Sequence, residues 1–201
     1  MNRLDSVRGS TSRSLVLRLQ ENRAPAWRDL VHLYSPLILY WARRAGLPDN
    51  ECADVVQEVF RSVVANIRTF KKTSSRDTFR GWLRTITRNK VNDFFRRQGA
   101  VVDAIGGTEA RIRMLQNADV DDELVGDPEE MAADHALFTR AIELIREDFQ
   151  PHTWQAFWRV VVEGKSATEV ASELNTRPGS VRVAKSRVLK RLREQLGETS
   201  T

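Results

Sequence analysis

SATEVASELNTRPGSVRVAKSRVLKRL, residues 166–192, holds two helix starts, one helix stop and a change of charge. Ser166 followed by Glu169 is a capping box, in which each side chain satisfies an otherwise free backbone N–H of the other residue. Val170, Ala171 and Leu174 recur at helical spacing and make the buried stripe of a short helix. Asn175, Thr176 and Arg177 then form a tight turn, and Pro178 opens a second helix at the position where its missing N–H costs nothing. That helix turns Val181, Val188 and Leu192 inward and Arg182, Val183, Ser186, Arg187 and Lys190 outward. A short helix, a tight turn and a second helix with a basic outer face make the helix-turn-helix pattern, whose second helix enters the DNA major groove. The bland alternative is a helical hairpin with a solvated basic face. Against it, the outer face holds almost no acids to balance its bases, as an internally paired surface helix would. Gly164-Lys165-Ser166 invites a phosphate-loop reading, but that motif needs a glycine where Arg159 stands and a preceding strand.

The rest of the chain sets bounds on function. Its 201 residues suffice for one large or two small domains, and the net charge of +5 suits a polyanionic partner without saying which. The one cysteine, Cys52, rules out an intrachain disulfide. His32, His135 and His152 are too scattered to give a zinc ligand set, so no metal and no cofactor is expected. The N-terminus carries Arg3, Arg8 and Arg13 without the apolar run of a signal peptide, and no stretch approaches the roughly 20 apolar residues of a membrane span. The expectation is a soluble cytoplasmic protein without membrane insertion.

Nearly every periodic segment has the helical period, so the expected fold class is all-α: two small helical domains joined by a flexible acidic linker, the C-terminal one a helix-turn-helix. Residues 1–98 form the first domain, with helices expected over Leu15–Gln20, Ala26–Tyr34, Pro36–Ala45, Asn50–Ile67 and Phe79–Arg97, and with Gly46 as a C-terminal cap. Residues 99–134 form the linker, in which ten acids stand against Arg111 and Arg113. Residues 135–201 form the second domain.

Two helices of the first domain carry polar faces that a core does not explain. In DVVQEVF, residues 54–60, and the turns after it, Val55, Val56, Val59, Phe60, Val63, Val64 and Ile67 share one broad face, opposite Asp54, Gln57, Glu58 and Arg61. From this stretch alone, a solvated surface is the favoured reading. Between Phe79 and Arg97, the residues Phe79, Trp82, Leu83, Ile86 and Phe94 share a core face, while Arg84, Thr85, Arg88, Val91, Asn92 and Phe95 share the other. Arginines, an amide and an aromatic together neutralise phosphates and stack on or hydrogen-bond unpaired bases. Phe70, Lys71, Lys72 and Arg76 extend that character into the preceding loop.

These pieces, in this order, resemble the extracytoplasmic-function (ECF) sigma factors, the minimal two-domain members of the sigma-70 family of bacterial transcription initiation factors. The resemblance rests on AWRDLVHLYSPLILYWARRAG, DVVQEVF, FRGWLRTITRNKVNDFFRR and the helix-turn-helix, and it covers nearly the whole chain. It implies that residues 1–98 are a region 2-like domain for polymerase clamp docking and for recognition and melting of the −10 element. Residues 135–201 would be a region 4-like domain that reads the −35 element. It implies that Asp54, Gln57, Glu58 and Arg61 dock on the β′ clamp helices of core RNA polymerase. It implies −10 DNA contacts by Phe70, Lys71, Arg76, Arg80, Arg84, Arg88, Asn89 and Asn92, with a flipped non-template base received by the loop from about Phe70 to Arg80. Arg177, Ser180, Arg182, Ser186, Arg187 and Lys190 would face the −35 duplex. Arg177 stands where the family often has a small capping hydroxyl, so the second helix would be less well capped or would use Arg177 on a phosphate. The aromatic HTWQAFW, residues 152–158, is expected to pack the C-terminal domain. The implied partners are core RNA polymerase, through the β′ clamp helices and the β flap, and promoter DNA. An anti-sigma factor and a monomeric free state are family-level expectations.

Two other function classes compete with this one. An ordinary helix-turn-helix regulator would not call for the aromatic and basic face of 84–95. An enzyme such as a DNA recombinase needs a catalytic constellation that this sequence lacks. The expectation is no enzymatic activity.

Overall fold

The computed structural model describes residues 14–71, 77–103 and 128–198, with side chains described through residue 98 of the second span. Among these residues the fold is all-α, as the periodicity predicts. We number the helices α1 (Leu15–Gln20), α2 (Ala24–Arg44), α3 (Asp49–Asn66), α4 (Phe79–Asp103), α5 (Pro128–Ile145), α6 (Pro151–Val161), α7 (Ala167–Glu173) and α8 (Pro178–Gln195). Single 3₁₀ turns follow α3 at Ile67–Thr69 and α5 at Arg146–Asp148.

One expected break is absent. Two helices separated before Pro36 are in fact the single helix α2, with Pro36 inside it. An interior proline costs about 3 kcal/mol. Leu33, Tyr34, Leu37 and Ile38 are all buried around it, and at about 1.5–3 kcal/mol for each full burial they outweigh that cost. Beside the proline, the Ser35 hydroxyl donates to the Val31 carbonyl at 2.6 Å. The helix stops where predicted: Gly46, at φ 85°, donates to Arg43 O at 2.8 Å and Leu47 donates to Ala42 O at 3.2 Å, the two bonds of a Schellman motif.

The residues fall into two compact units. One spans 22–138, and in it α2, α3 and α4 pack on one another. Tyr34 and Phe79 meet edge to face at 5.5 Å in its core, beside Val55, Val59, Val63 and Leu83. The buried arc of α3 is narrower than the sequence suggests. Val64, placed with the core residues, lies about 140° around the helix from Val59 and is 58% exposed.

The other unit holds described residues 14–21 and 139–198. Ala156, Val170, Ala171, Val181 and Ala184 form a core cluster here, with Val160, Ala167 and Leu174 packed against it. The division departs from the boundaries expected at 98 and 134, because α1 groups with the C-terminal helices. Arg18 in α1 donates from Nη2 to Gln195 Oε1 at 2.8 Å, a buried bond across 177 positions that no local pattern announces. Helix α4 also runs on to Asp103, and α5 starts at Pro128, seven residues before the expected start at His135. Of the segment expected to be a flexible linker, residues 104–127 lie outside the described residues.

Candidate nucleic-acid interface

The α7–turn–α8 unit is built by local chemistry. Ser166 N–H donates to Glu169 Oε2 at 2.8 Å and Glu169 N–H to Ser166 Oγ at 3.2 Å, so the capping box is closed on both sides. These bonds hold the Glu169 carboxyl below the ordinary carboxylate range. Asn175 stops α7 in the left-handed region at φ 50°, with Thr176 N–H donating to Ala171 O at 2.8 Å. A brace ties α7 to the end of α6: Lys165 Nζ donates to Glu173 Oε1 at 2.8 Å, and Arg159 Nη1 donates to Glu173 Oε2 at 2.5 Å. The Lys165 hydrogen bond is the main cause that lowers the Glu173 pKa, and the same bond raises that of Lys165.

The turn delivers α8 with Val181, Val188 and Leu192 buried. Ser180, Arg182, Ser186, Arg187 and Lys190 are all exposed, together with Val183, so the predicted outer face is one continuous polar strip. Arg177 is exposed at the N-cap position, makes no side-chain capping bond and has the extended backbone that a following proline favours. One arginine of the basic stretch points elsewhere. Arg191 is buried and donates from Nε to Asp148 Oδ2 at 2.8 Å, so it is a structural ion pair.

The α4 face is assembled differently. Arg88, Asn89 and Asn92 are exposed, and Thr85 beside them is exposed as well. Val91, read with this face, is 2% exposed and belongs to the core, as does Thr87, whose hydroxyl donates to Leu83 O at 2.8 Å. The error lay in the centre of the arc: Leu83, Thr87 and Val91 recur every four residues, and the buried stripe follows that row. Phe95 is half-buried against Phe94, with ring centroids 5.5 Å apart.

Arg80 and Arg84 are held by acids. Arg80 Nη1 donates to Asp134 Oδ2 at 3.0 Å and Nη2 to Glu130 Oε1 at 3.2 Å, and its guanidinium lies 6.0 Å from the centre of the Trp41 ring. Arg84 Nη1 stands 3.8 Å from the same Glu130 oxygen. Sequence reasoning missed these partners, since Glu130 and Asp134 were assigned to the linker.

Between the 3₁₀ turn and the start of α4 lies an open cleft of about 520 Å³, lined by Thr69, Phe70, Lys71, Asp77, Thr78, Gly81, Trp82 and Thr85. Phe70 forms one wall and packs on Phe79 at 5.7 Å and on Trp82 at 5.1 Å. Trp82, expected to be core, is half-buried and lines this cleft. Thr78 caps α4 by accepting from Gly81 N–H at 3.0 Å, and a Cβ on Gly81 would sit 3.1 Å from the Thr78 hydroxyl. A Thr immediately before an apolar periodic run is the signal that could have marked this entry. Lys71 is exposed at the rim, while Arg76 lies outside the described residues.

On α3 the Asp54, Gln57 and Arg61 side chains are exposed and Glu58 is half-buried, with the Arg61 guanidinium bonded to the Glu58 carboxylate. Surface pairs of this kind contribute about 0–1 kcal/mol, so this one does little to stabilise the fold. Val64 lies near Gln57 on the exposed side and adds an apolar patch to that surface.

Residues 30–101 match the family model described as Sigma-70 region 2, a span that takes in all of α3 and most of α2 and α4. Over 180 residues, 88% of this chain, the sequence is 26% identical to the ECF RNA polymerase sigma factor SigE of Mycolicibacterium smegmatis. The chain is thus similar to the ECF sigma factors of the sigma-70 family. The alignment covers 64% of that relative's length, so the chain spans just under two thirds of the protein it matches. The region 2 match contains the α3 polar face and the α4 cleft, whereas the α7–turn–α8 unit lies beyond it. No helix among the described residues is long and apolar enough to cross a membrane.

Proposed function

We propose that this protein is a cytoplasmic, non-catalytic transcription initiation factor that binds core RNA polymerase and directs it to promoters by recognising −35 and −10 elements and assisting DNA melting. The observation that carries the reading is the presence, on a chain with a region 2 match, of two separate nucleic-acid-type faces of different chemistry. The α8 strip of Arg182, Arg187 and Lys190 with small hydroxyls suits the major groove of a duplex. A bidentate arginine contact there discriminates between bases by about 1–3 kcal/mol. The α4 face offers Arg88, Asn89 and Asn92 beside an aromatic-walled cleft, which suits an unpaired strand with one base turned out. Extruding that base costs a few kcal/mol, and stacking against Phe70 and Trp82, with hydrogen bonds accepted by the cleft's threonine hydroxyls, is available to offset it.

In this reading the α3 face of Asp54, Gln57, Glu58 and Arg61 docks on the β′ clamp helices, and the C-terminal unit engages the β flap. A charged docking face keeps the free protein soluble and favours its partner by electrostatic complementarity. The reading is tested by comparing DNA affinity of the protein alone with that of its complex with core polymerase. Binding that becomes tight only with polymerase supports it. Nanomolar binding by the protein alone at moderate salt is the behaviour of an ordinary regulator and would contradict it.

A further inference from the structure

We propose that Glu130 and Asp134 act as a built-in phosphate mimic that closes the α4 face of the free protein to single-stranded DNA. This rests on the reading of α4 as a strand-binding face. Two registers match across the contact. Arg80 and Arg84 are one turn apart on α4, Glu130 and Asp134 are one turn apart on α5, and each pair therefore presents its charges along one side of its helix. Arg80 uses both terminal nitrogens on two different carboxylates, and Arg84 approaches one of those carboxylates from the next turn. A carboxylate offers acceptor oxygens to a guanidinium much as a phosphate does, so both compete for the same N–H groups. While the acids hold Arg80 and Trp41 backs it, a strand lying along α4 cannot take those donors.

The contact is suited to a reversible closure. The Arg80, Arg84, Glu130 and Asp134 side chains retain between 23% and 41% of their exposure, so a polyanion or a partner that draws the start of α5 aside can reach them. Arg88, Asn89 and Asn92 lie further along the helix and stay exposed. Closure therefore weakens strand binding without abolishing it. Glu130 and Asp134 consequently set how much of the free protein is competent to bind a strand.

The test uses the full chain, a fluorescent single-stranded DNA 15-mer of mixed sequence, and a salt series. The charge-removing variant E130Q/D134N is expected to bind at least about tenfold tighter than wild type, which corresponds to a competent fraction of about one tenth in the parent. Its plot of log affinity against log salt is expected to steepen by about 1.4, for two more phosphates neutralised on a single strand. The control E143Q/E147Q makes the same change in net charge elsewhere and is expected to leave affinity near the wild-type value. Unchanged affinity and slope in E130Q/D134N overturns the proposal, as does an equal gain in the control. So does a gain that survives in E130Q/D134N/R80A/R84A. The α4 reading itself is separated by R88A/N92A in the wild-type background. If that variant weakens strand binding while E130Q/D134N changes nothing, only the closure is wrong; if R88A/N92A has no effect, both fall.

Discussion

Arg191 donates from Nε to Asp148 Oδ2 at 2.8 Å, joining the last helix of the chain to the 3₁₀ turn after α5. The side chains are 10% and 21% exposed, so the pair is largely withdrawn from water. Breaking a buried pair by removing one partner costs about 3–5 kcal/mol, and the residual exposure here places the expected loss for Asp148→Ala at about 2–3 kcal/mol. Urea unfolding measures it. A change below about 0.5 kcal/mol would show that the pair is solvated. Lys190→Ala, one residue away on the exposed side, is expected to leave stability unchanged and to weaken duplex binding.

Val91 and Asn92 are neighbours in sequence with opposite burial, and their substitutions should separate accordingly. Val91→Ala is expected to destabilise the unit of residues 22–138 by about 2 kcal/mol through lost burial and the cavity left behind. Asn92→Ala should stay within about 0.5 kcal/mol in stability and lower single-strand binding. Thermal unfolding and strand-binding titrations on both variants check the pair of outcomes; a stability loss at Asn92 equal to that at Val91 would contradict the placement of the helix.

These two residues also show what a sequence can and cannot reveal. The helices of 166–192 were legible because capping, turn and burial signals are all local, and the capping box and the Pro178 start appear where the residues put them. The buried arc of α4 is centred about 60° from where the sequence pattern puts it, since Val91 is apolar but sits among polar residues and only packing partners decide its side. Pro36 suits the first position of a helix and so marks a boundary in sequence, whereas the burial that offsets its cost inside a helix comes from packing on α3 and α4. The Arg18–Gln195 and Arg80–Asp134 contacts join residues 177 and 54 positions apart, and nothing in either local pattern identifies the partner. Candidate DNA residues were found by chemistry, but chemistry alone could not say that Arg80 and Arg84 were already engaged.

The brace around Glu173 gives a pH dependence of known sign. Hydrogen bonding to Lys165 and then its charge lower the Glu173 pKa in the folded state, and bonding to Ser166 lowers that of Glu169. Carboxylates with depressed folded pKa values contribute stability that is fully present above the unfolded carboxylate range and is lost as pH falls through the folded values. Lys165, raised in the fold, contributes in the opposite window and loses its part only at alkaline pH. The C-terminal unit is therefore expected to keep a flat thermal midpoint through neutral pH and to lose stability as pH falls below the usual carboxylate range. Glu173→Gln should reduce that acid dependence; an unchanged pH profile in the variant would contradict the assignment.

Cys52 is fully packed, and burial is the main cause that raises its thiol pKa. Its sulfur lies 3.7 Å from the Leu47 carbonyl oxygen. A buried thiol with little thiolate is a poor nucleophile. The native protein is expected to react with a thiol-specific disulfide reagent at least about tenfold more slowly than the unfolded chain. Equal rates, followed by absorbance in buffer and in denaturant, would show that α3 opens freely at its start.

Asp54→Ala with Glu58→Ala removes two acids from the α3 face without touching its buried stripe of Val55, Val59 and Val63. The double variant is expected to keep its thermal midpoint and to lose affinity for core polymerase by roughly tenfold or more, as charge pairs at an interface commonly do. Arg182→Ala should retain polymerase affinity and lose promoter choice.

The measurement that bears most directly on the proposed function is transcription in vitro, with the purified protein, sigma-free bacterial core polymerase and a pool of genomic promoter fragments, and with start sites mapped by sequencing the transcripts. The account predicts discrete new start sites that share two upstream sequence elements and that disappear with Arg182→Ala. Absence of initiation with a compatible core polymerase, together with tight DNA binding by the protein alone, would contradict it.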